Sequence, residues 1–154
     1  MNGAGGKNTV CMRVLIADDQ PRARRSLKAL LTAMRWSTPS HAEQPTSSGF
    51  FPVEVVGEAV NGPQAVEQVR ALHPDVVVMD LQLHTVSAPE PGLDGVATIQ
   101  MIKSRWPAIR IVVLTMYATD RASVLAAGAD AFLLKGCPTR ELLDAVMPGR
   151  RAKR

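Results

Sequence analysis

Five polar residues stand where apolar runs end. Asp18 and Asp19 close the run Met12 to Ala17, Asp80 closes Val76 to Met79, Thr115 closes Ile109 to Leu114, and Lys135 closes Ala131 to Leu134. Three carboxylates brought to one place repel one another and need a cation, and an oxygen-only ligand set selects a hard ion such as Mg2+. Such an ion points to phosphate chemistry. A carboxylate can attack a phosphoryl group to form a mixed anhydride while a metal and a lysine neutralise charge on the transferring oxygens. Lys135 would supply that cation and the Thr115 hydroxyl a hydrogen-bond donor.

Each residue taken singly has a plainer explanation. Asp18 and Asp19 could cap a helix, whose dipole favours an acid at its start. Asp80 could be a turn residue, Lys135 a solvated strand end, and threonine is common in strands. Their joint occurrence at successive strand ends carries the functional reading. His41, His73 and His84 share no metal-ligand spacing and merit no catalytic role.

The elements that must position these residues alternate regularly. Met12 to Ala17 reads as a buried strand, and Pro21 suits the first turn of a helix whose Leu27, Leu30, Leu31 and Met34 form one stripe, with the basic residues mainly opposite. The stretch Ser37 to Pro52, rich in Ser, Thr, Pro, Gly and Gln, predicts a long loop. Val53 to Ala59 is the second strand, Asn61-Gly62 a turn, and Pro63 to Leu72 a helix with Ala65, Val66 and Val69 inward. Val76 to Asp80 is the third strand, followed by a polar, Pro-rich loop to Gly92 and a helix from Gly95 to Arg105. Ile109 to Thr115 is the fourth strand, with a short helix near Asp120 to Ala127 capped by Gly128. Ala131 to Lys135 is the fifth strand, and Arg140 to Met147 a last helix stopped by Pro148-Gly149. Five strands alternating with helices predict an α/β fold, a doubly wound parallel sheet with helices on both faces. In such sheets ligands bind outside the carboxyl ends of the strands, where the five polar residues fall.

Composition narrows the classes. A chain of 154 residues, 46% apolar and 21% charged, suits one globular domain and leaves no room for a second. The longest apolar runs are strand-sized, which predicts no membrane span, and no signal-peptide core is present, so the expected location is cytoplasmic. Cys11 and Cys137 form no CxxC pair and suggest neither a disulfide framework nor a zinc site. The net charge of +4 gathers in Arg22, Arg24, Arg25 and Lys28 and in Arg150, Arg151, Lys153 and Arg154. Without aromatic interleaving or a reading-helix pattern, these runs argue against nucleic-acid binding by this chain alone.

The residues resemble a known family, the receiver domains of two-component response regulators, from Arg13 to about Met147. The segments Val14-Leu15-Ile16-Ala17-Asp18-Asp19-Gln20-Pro21, Asp75-Val76-Val77-Val78-Met79-Asp80, Leu114-Thr115 and Gly128-Ala129-Asp130-Ala131-Phe132-Leu133-Leu134-Lys135 occur in the family's order. They look most like the subfamily that usually carries a helix-turn-helix output domain. The resemblance implies a flavodoxin-like sheet of order 2-1-3-4-5, with Asp80 as phosphoacceptor. It implies Mg2+ or Mn2+ held by Asp18, Asp19, Asp80 and the backbone carbonyl of Gln82, and a phosphoryl group bound by Thr115 and Lys135. By the same resemblance Phe132 occupies the family's aromatic position that changes rotamer with the hydroxyl residue, Thr115, to report phosphorylation, and Thr115 and Phe132 are expected to end adjacent strands beside the site. The expected organisation is a flexible segment 1–11, a receiver domain 12–147 and a basic tail 148–154. The expected phosphodonor is a histidine kinase or phosphotransfer protein. The output is expected through a downstream protein or self-association at the fourth helix, fifth strand and last helix. No enzymatic activity is expected beyond self-phosphorylation and slow autodephosphorylation.

The chain departs from the family pattern in places. His84 stands where a proline is usual, and Gly95 lies fifteen positions after Asp80, later than usual. The interval from Thr115 to Lys135 is about two residues short, which trims the fourth helix, and Gly136 follows Lys135 where many receivers have proline. Two alternatives keep the fold. One is a pseudo-receiver acting as a phosphorylation-independent binding module, and the other is the N-terminal part of a truncated DNA-binding response regulator. An aspartate-nucleophile phosphatase of the haloacid dehalogenase type would need a second aspartate where Gln82 stands. Dinucleotide binding would need a Gly-rich turn where Asp18-Asp19-Gln20-Pro21 stands.

Overall fold

The computed structural model of the chain describes residues 11–33, 35–36, 51–83, 93–118 and 121–147. Along the chain these form β1 (Met12–Ala17), α1 (Pro21–Ala33), β2 (Arg35–Trp36), β3 (Phe51–Ala59), α2 (Gly62–Leu72) and β4 (Val76–Met79). They continue as α3 (Gly95–Arg105), β5 (Arg110–Thr115), α4 (Arg121–Ala126), β6 (Ala131–Leu134) and α5 (Thr139–Val146). Most of the segment 1–11, the loop between Met34 and Phe51 apart from β2, His84 and the tail 148–154 lie outside the described residues.

Side-chain alternation along the strands builds two apolar layers, one on each face of the sheet. Leu15, Val77, Ile111 and Val113 point to one face and are covered by Ala65 and Val69 of α2, Ile99 and Ile102 of α3 and Val124 of α4. Val14, Ile16, Val76, Val78 and Val112 point to the other, beneath Leu31 of α1 and Leu142 and Val146 of α5. Both faces are therefore dry. This is why β4 and β5 read as continuous apolar runs and not as polar-apolar alternation.

The five parallel strands lie in the order β3-β1-β4-β5-β6, the 2-1-3-4-5 arrangement that the resemblance implied. β1 pairs with β3 through a bulge at Val14/Leu15, where the partner jumps from Val55 to Gly57. The sheet also carries a sixth, antiparallel edge strand that the sequence reading missed: Arg35 pairs with Pro52 and Trp36 with Phe51. Bulky aromatic residues favour pleated, extended chain, and β3 accordingly begins at Phe51, two residues before the expected Val53.

Helix ends follow the expected chemistry. Asn61 caps α2 by accepting the Gln64 N–H at 2.8 Å, and Asp94 caps α3 by accepting the Ala97 N–H at 2.7 Å. Gly128 closes the short α4, its N–H donating to the Leu125 carbonyl. Among the described residues no helix is long and apolar enough to cross a membrane. Cys11 and Cys137 are half-buried and form no disulfide, the Cys11 thiol donates to Glu54 Oε2 at 3.5 Å, and burial is the main cause that pushes both thiols above their ordinary pKa.

Candidate functional site

Parallel pairing carries the expected residues to one edge of the sheet. The Asp18 N–H donates to the Ala59 carbonyl at 3.0 Å and the Asp80 N–H to the Ala17 carbonyl at 2.9 Å, so the ladder continues one step past β1 and β4. These two strands flank the point where the strand order reverses, the crevice in which open α/β sheets bind ligands. Ligand atoms of Asp18, Asp19 and Asp80 all lie within 4.8 Å of one another. Asp18 and Asp80 are buried.

Lys135 enters this cluster from the end of β6. Its Nζ donates to Asp18 Oδ2 at 2.9 Å and to Asp80 Oδ2 at 2.7 Å. The remaining oxygens are held by main chain: the Gln20 N–H donates to Asp18 Oδ1 at 2.9 Å and the Gln82 N–H to Asp80 Oδ1 at 3.2 Å. Burial pulls the lysine pKa down, but hydrogen bonds and attraction from Asp80 and Asp18 outweigh it and hold Lys135 above its ordinary value. Three carboxylates against one ammonium leave a formal charge of minus two. A divalent cation would neutralise that charge, and the all-oxygen donor set fits a hard one.

The turn after Lys135 and the loop after Asp80 both depend on glycine. Gly136 has φ of +89°, a conformation that side chains with a Cβ rarely adopt, and it turns the chain immediately beyond Lys135 toward α5. Gly95, the first residue of α3, packs directly on the loop after Asp80. A Cβ there would lie 2.7 Å from both Leu81 Cα and the Leu81 carbonyl oxygen.

Thr115 ends β5, buried, and its carbonyl accepts the Lys135 N–H at 2.7 Å. Phe132 lies further from the strand ends than the sequence reading placed it. The register pairs Phe132 with Val113 and Thr115 with Leu134, so Phe132 is a diagonal neighbour of Thr115 on the same face. The Phe132 ring is half-buried against the α2–α4 layer, with the Arg121 guanidinium 5.9 Å from its centroid.

One contact was missed altogether. Arg24, read from sequence as part of a basic solvated face, donates from Nη1 to the Asp18 carbonyl at 2.8 Å, and its Nε lies 3.5 Å from Glu58 Oε1. The available signal was its place three and seven residues before Leu27 and Leu31, on the inward stripe of α1.

The comparisons with known proteins agree with this geometry. A family model described as the response regulator receiver domain matches residues 51–147. The chain belongs to the response regulator receiver family. This receiver is 30% identical over 135 residues to the nitrate/nitrite response regulator protein NarL of Escherichia coli K12, covering 86% of the chain and 52% of that relative. It is 40% identical over 130 residues to protein-glutamate methylesterase/protein-glutamine glutaminase 3 of Myxococcus xanthus, covering 82% of the chain and 30% of that relative. The receiver thus spans about half or less of the length of these curated relatives. Among solved structures it resembles a LuxR-family two-component response regulator from Aurantimonas sp. SI85-9A1. The TM-score is 0.64 and the identity 27%, covering 87% of this chain and 81% of that one.

Proposed function

We propose that this receiver is switched by phosphorylation of Asp80, with Asp18, Asp19, Asp80 and the Gln82 carbonyl as ligands of Mg2+ or Mn2+. The observation that carries the reading is the Lys135 ammonium bridging Asp18 and Asp80 beside Asp19. Holding three acids and a lysine together in a partly buried cleft is costly unless the charge serves a purpose, which favours a chemical site over a phosphorylation-independent module.

An Asp80 carboxylate oxygen attacks the phosphorus of a donor, forming a P–O bond as the donor's P–N or P–O bond breaks, and the leaving group takes a proton from solvent. The donor is a histidine kinase or phosphotransfer protein. The Gln82 N–H fixes the rotamer of Asp80, and Lys135 pairs with the arriving phosphoryl oxygens as its contact with Asp80 is exchanged for one with phosphate. Bound at the acids, the divalent ion supplies neutralisation of charge on the transferring group. The phosphoryl oxygens then attract the Thr115 hydroxyl, Phe132 rotates into the space beside it, and the face made by α4, β6 and α5 changes its affinity for a downstream protein or a second copy. The switch unit spans 12–147, works in the cytoplasm, and catalyses nothing beyond its own phosphorylation and slow dephosphorylation.

The test is intact-mass analysis after incubation with Mg2+ and acetyl phosphate. The wild type gains one phosphoryl group and Asp80→Asn gains none. Equal labelling of the two proteins refutes the assignment.

A further inference from the structure

The main-chain and side-chain polar atoms of Asp18 are each held by a different part of the fold. Its N–H donates to the Ala59 carbonyl of β3, Oδ1 accepts from the Gln20 N–H, and Oδ2 accepts from Lys135. Its carbonyl is the unusual one. The residue three positions on, whose N–H would ordinarily close a turn onto that carbonyl, is Pro21, which has no N–H to give. The Arg24 side chain supplies the donor instead, at 2.8 Å. That carbonyl belongs to the peptide plane joining Asp18 to Asp19, so a contact that holds the plane also constrains where the two side chains leave the backbone.

Arg24 is itself fixed. Its side chain is only 16% exposed, and its Nε faces Glu58 Oε1 at 3.5 Å, while Lys28 lies 3.8 Å from the other Glu58 oxygen. Glu58 immediately precedes Ala59, the residue that receives the Asp18 N–H. The contacts therefore close a ring from Asp18 through Arg24, Glu58 and Ala59 back to Asp18. A planar guanidinium can address a carbonyl and a carboxylate at once, which a single ammonium cannot do with the same geometry.

We propose that Arg24, held by Glu58, is a positioning residue for the acidic pair: it sets the Asp18–Asp19 peptide so that both carboxylates face one divalent cation. This rests on the reading that Asp18 and Asp19 bind that ion. Charge and position make opposite predictions here. As a mere positive charge next to Asp18, Arg24 would repel a second cation, and its removal would tighten metal binding. As a positioning group it supports the ligands, and its removal weakens binding.

The experiment is calorimetric titration of the full chain with Mg2+, alongside thermal melts, for wild type, Arg24→Ala, Arg24→Lys, Glu58→Gln and Lys103→Ala. The last breaks the 2.6 Å Lys103–Asp130 ion pair, away from the acids, and serves as the structural control. Arg24→Ala is expected to bind Mg2+ about 10–100-fold more weakly, the range that loss of an outer-shell partner produces. Arg24→Lys should regain part of that loss, and Glu58→Gln should shift affinity the same way by less. Lys103→Ala should lower the melting temperature without changing affinity. Unchanged or tighter binding by Arg24→Ala overturns the proposal, as does an equal weakening by Lys103→Ala. If Arg24→Ala does not fold, unchanged affinity in both Arg24→Lys and Glu58→Gln overturns it. A wild type that binds no Mg2+ overturns the metal reading as well, an outcome visible before any variant is compared.

Discussion

Replacing Lys135 with Met removes an ammonium that lies 2.9 Å from Asp18 Oδ2 and 2.7 Å from Asp80 Oδ2, and it keeps a flexible, unbranched side chain. At an effective dielectric of about 20 each contact carries ~6 kcal/mol of gross attraction, much of it cancelled by the desolvation of the ions. The net cost of stranding the acids is ~3–5 kcal/mol, the range for a buried pair that loses one partner. At about 2–4 °C per kcal/mol for a domain of this size, the melting temperature falls by roughly 6–20 °C. The formal charge of the cluster becomes one unit more negative, so Mg2+ should stabilise Lys135→Met more than wild type. Circular dichroism melts of both proteins, in chelator and in excess Mg2+, measure the two effects. The pH dependence has a definite sign. Asp80 and Asp18 hold the folded lysine pKa above its ordinary value against the opposing effect of burial. The lysine's contribution is therefore complete below the unfolded value of ~10.4 and is lost as pH climbs through the higher folded one. The gap between the two melting temperatures should stay constant through neutral pH and close only in strong alkali. A variant that melts within about 2 °C of wild type in chelator, or gains no more from Mg2+, refutes the electrostatic reasoning.

Two further predictions concern the transmission of the signal and the loop after Asp80. Thr115→Ala should still be labelled at Asp80 while the Phe132 ring, followed by NMR with and without a beryllofluoride mimic, stops responding; hydrogen bonds to charged groups are worth ~1.5–3 kcal/mol, enough to bias two rotamers. An identical ring response in both proteins would rule this route out. Gly95→Ala places a Cβ 2.7 Å from the Leu81 main chain, so the loop must move. It should cost ~1–3 kcal/mol, as overpacking does, and slow labelling of Asp80. Urea denaturation and the labelling rate would check both effects.

What the sequence made legible, and what it hid, divides along a physical line. The strands were readable because β1, β4 and β5 are buried on both faces and their composition is nearly free of polar residues. The helix from Gly95 to Arg105 was placed at its observed bounds because Asp94 and Gly95 announce its start. The strand ends followed, and with them Asp18, Asp80, Thr115 and Lys135. The misses share a different cause. β2 is two residues long and exists only through its pairing with Phe51 and Pro52, a register no local pattern encodes. Phe132 was set too near the site because its position depends on the stagger of β6 against β5. Arg24 was taken for a surface charge because its partners, Glu58 and the Asp18 carbonyl, come from outside its helix.

The contact of Gly95 with Leu81 also bears on how this fold can be altered. Leu81 follows β4 and Gly95 begins α3, so their contact holds the two ends of the connection between these elements together. Closing a longer loop on ends already held costs little, about 0.6 kcal/mol for each doubling of length. The fifteen-residue interval from Asp80 to Gly95 is therefore a natural insertion port. A peptide tag or a small reporter domain spliced between Leu81 and Gly95 would leave that contact and the sheet unstretched, turning a departure from the family's usual spacing into a handle for a biosensor.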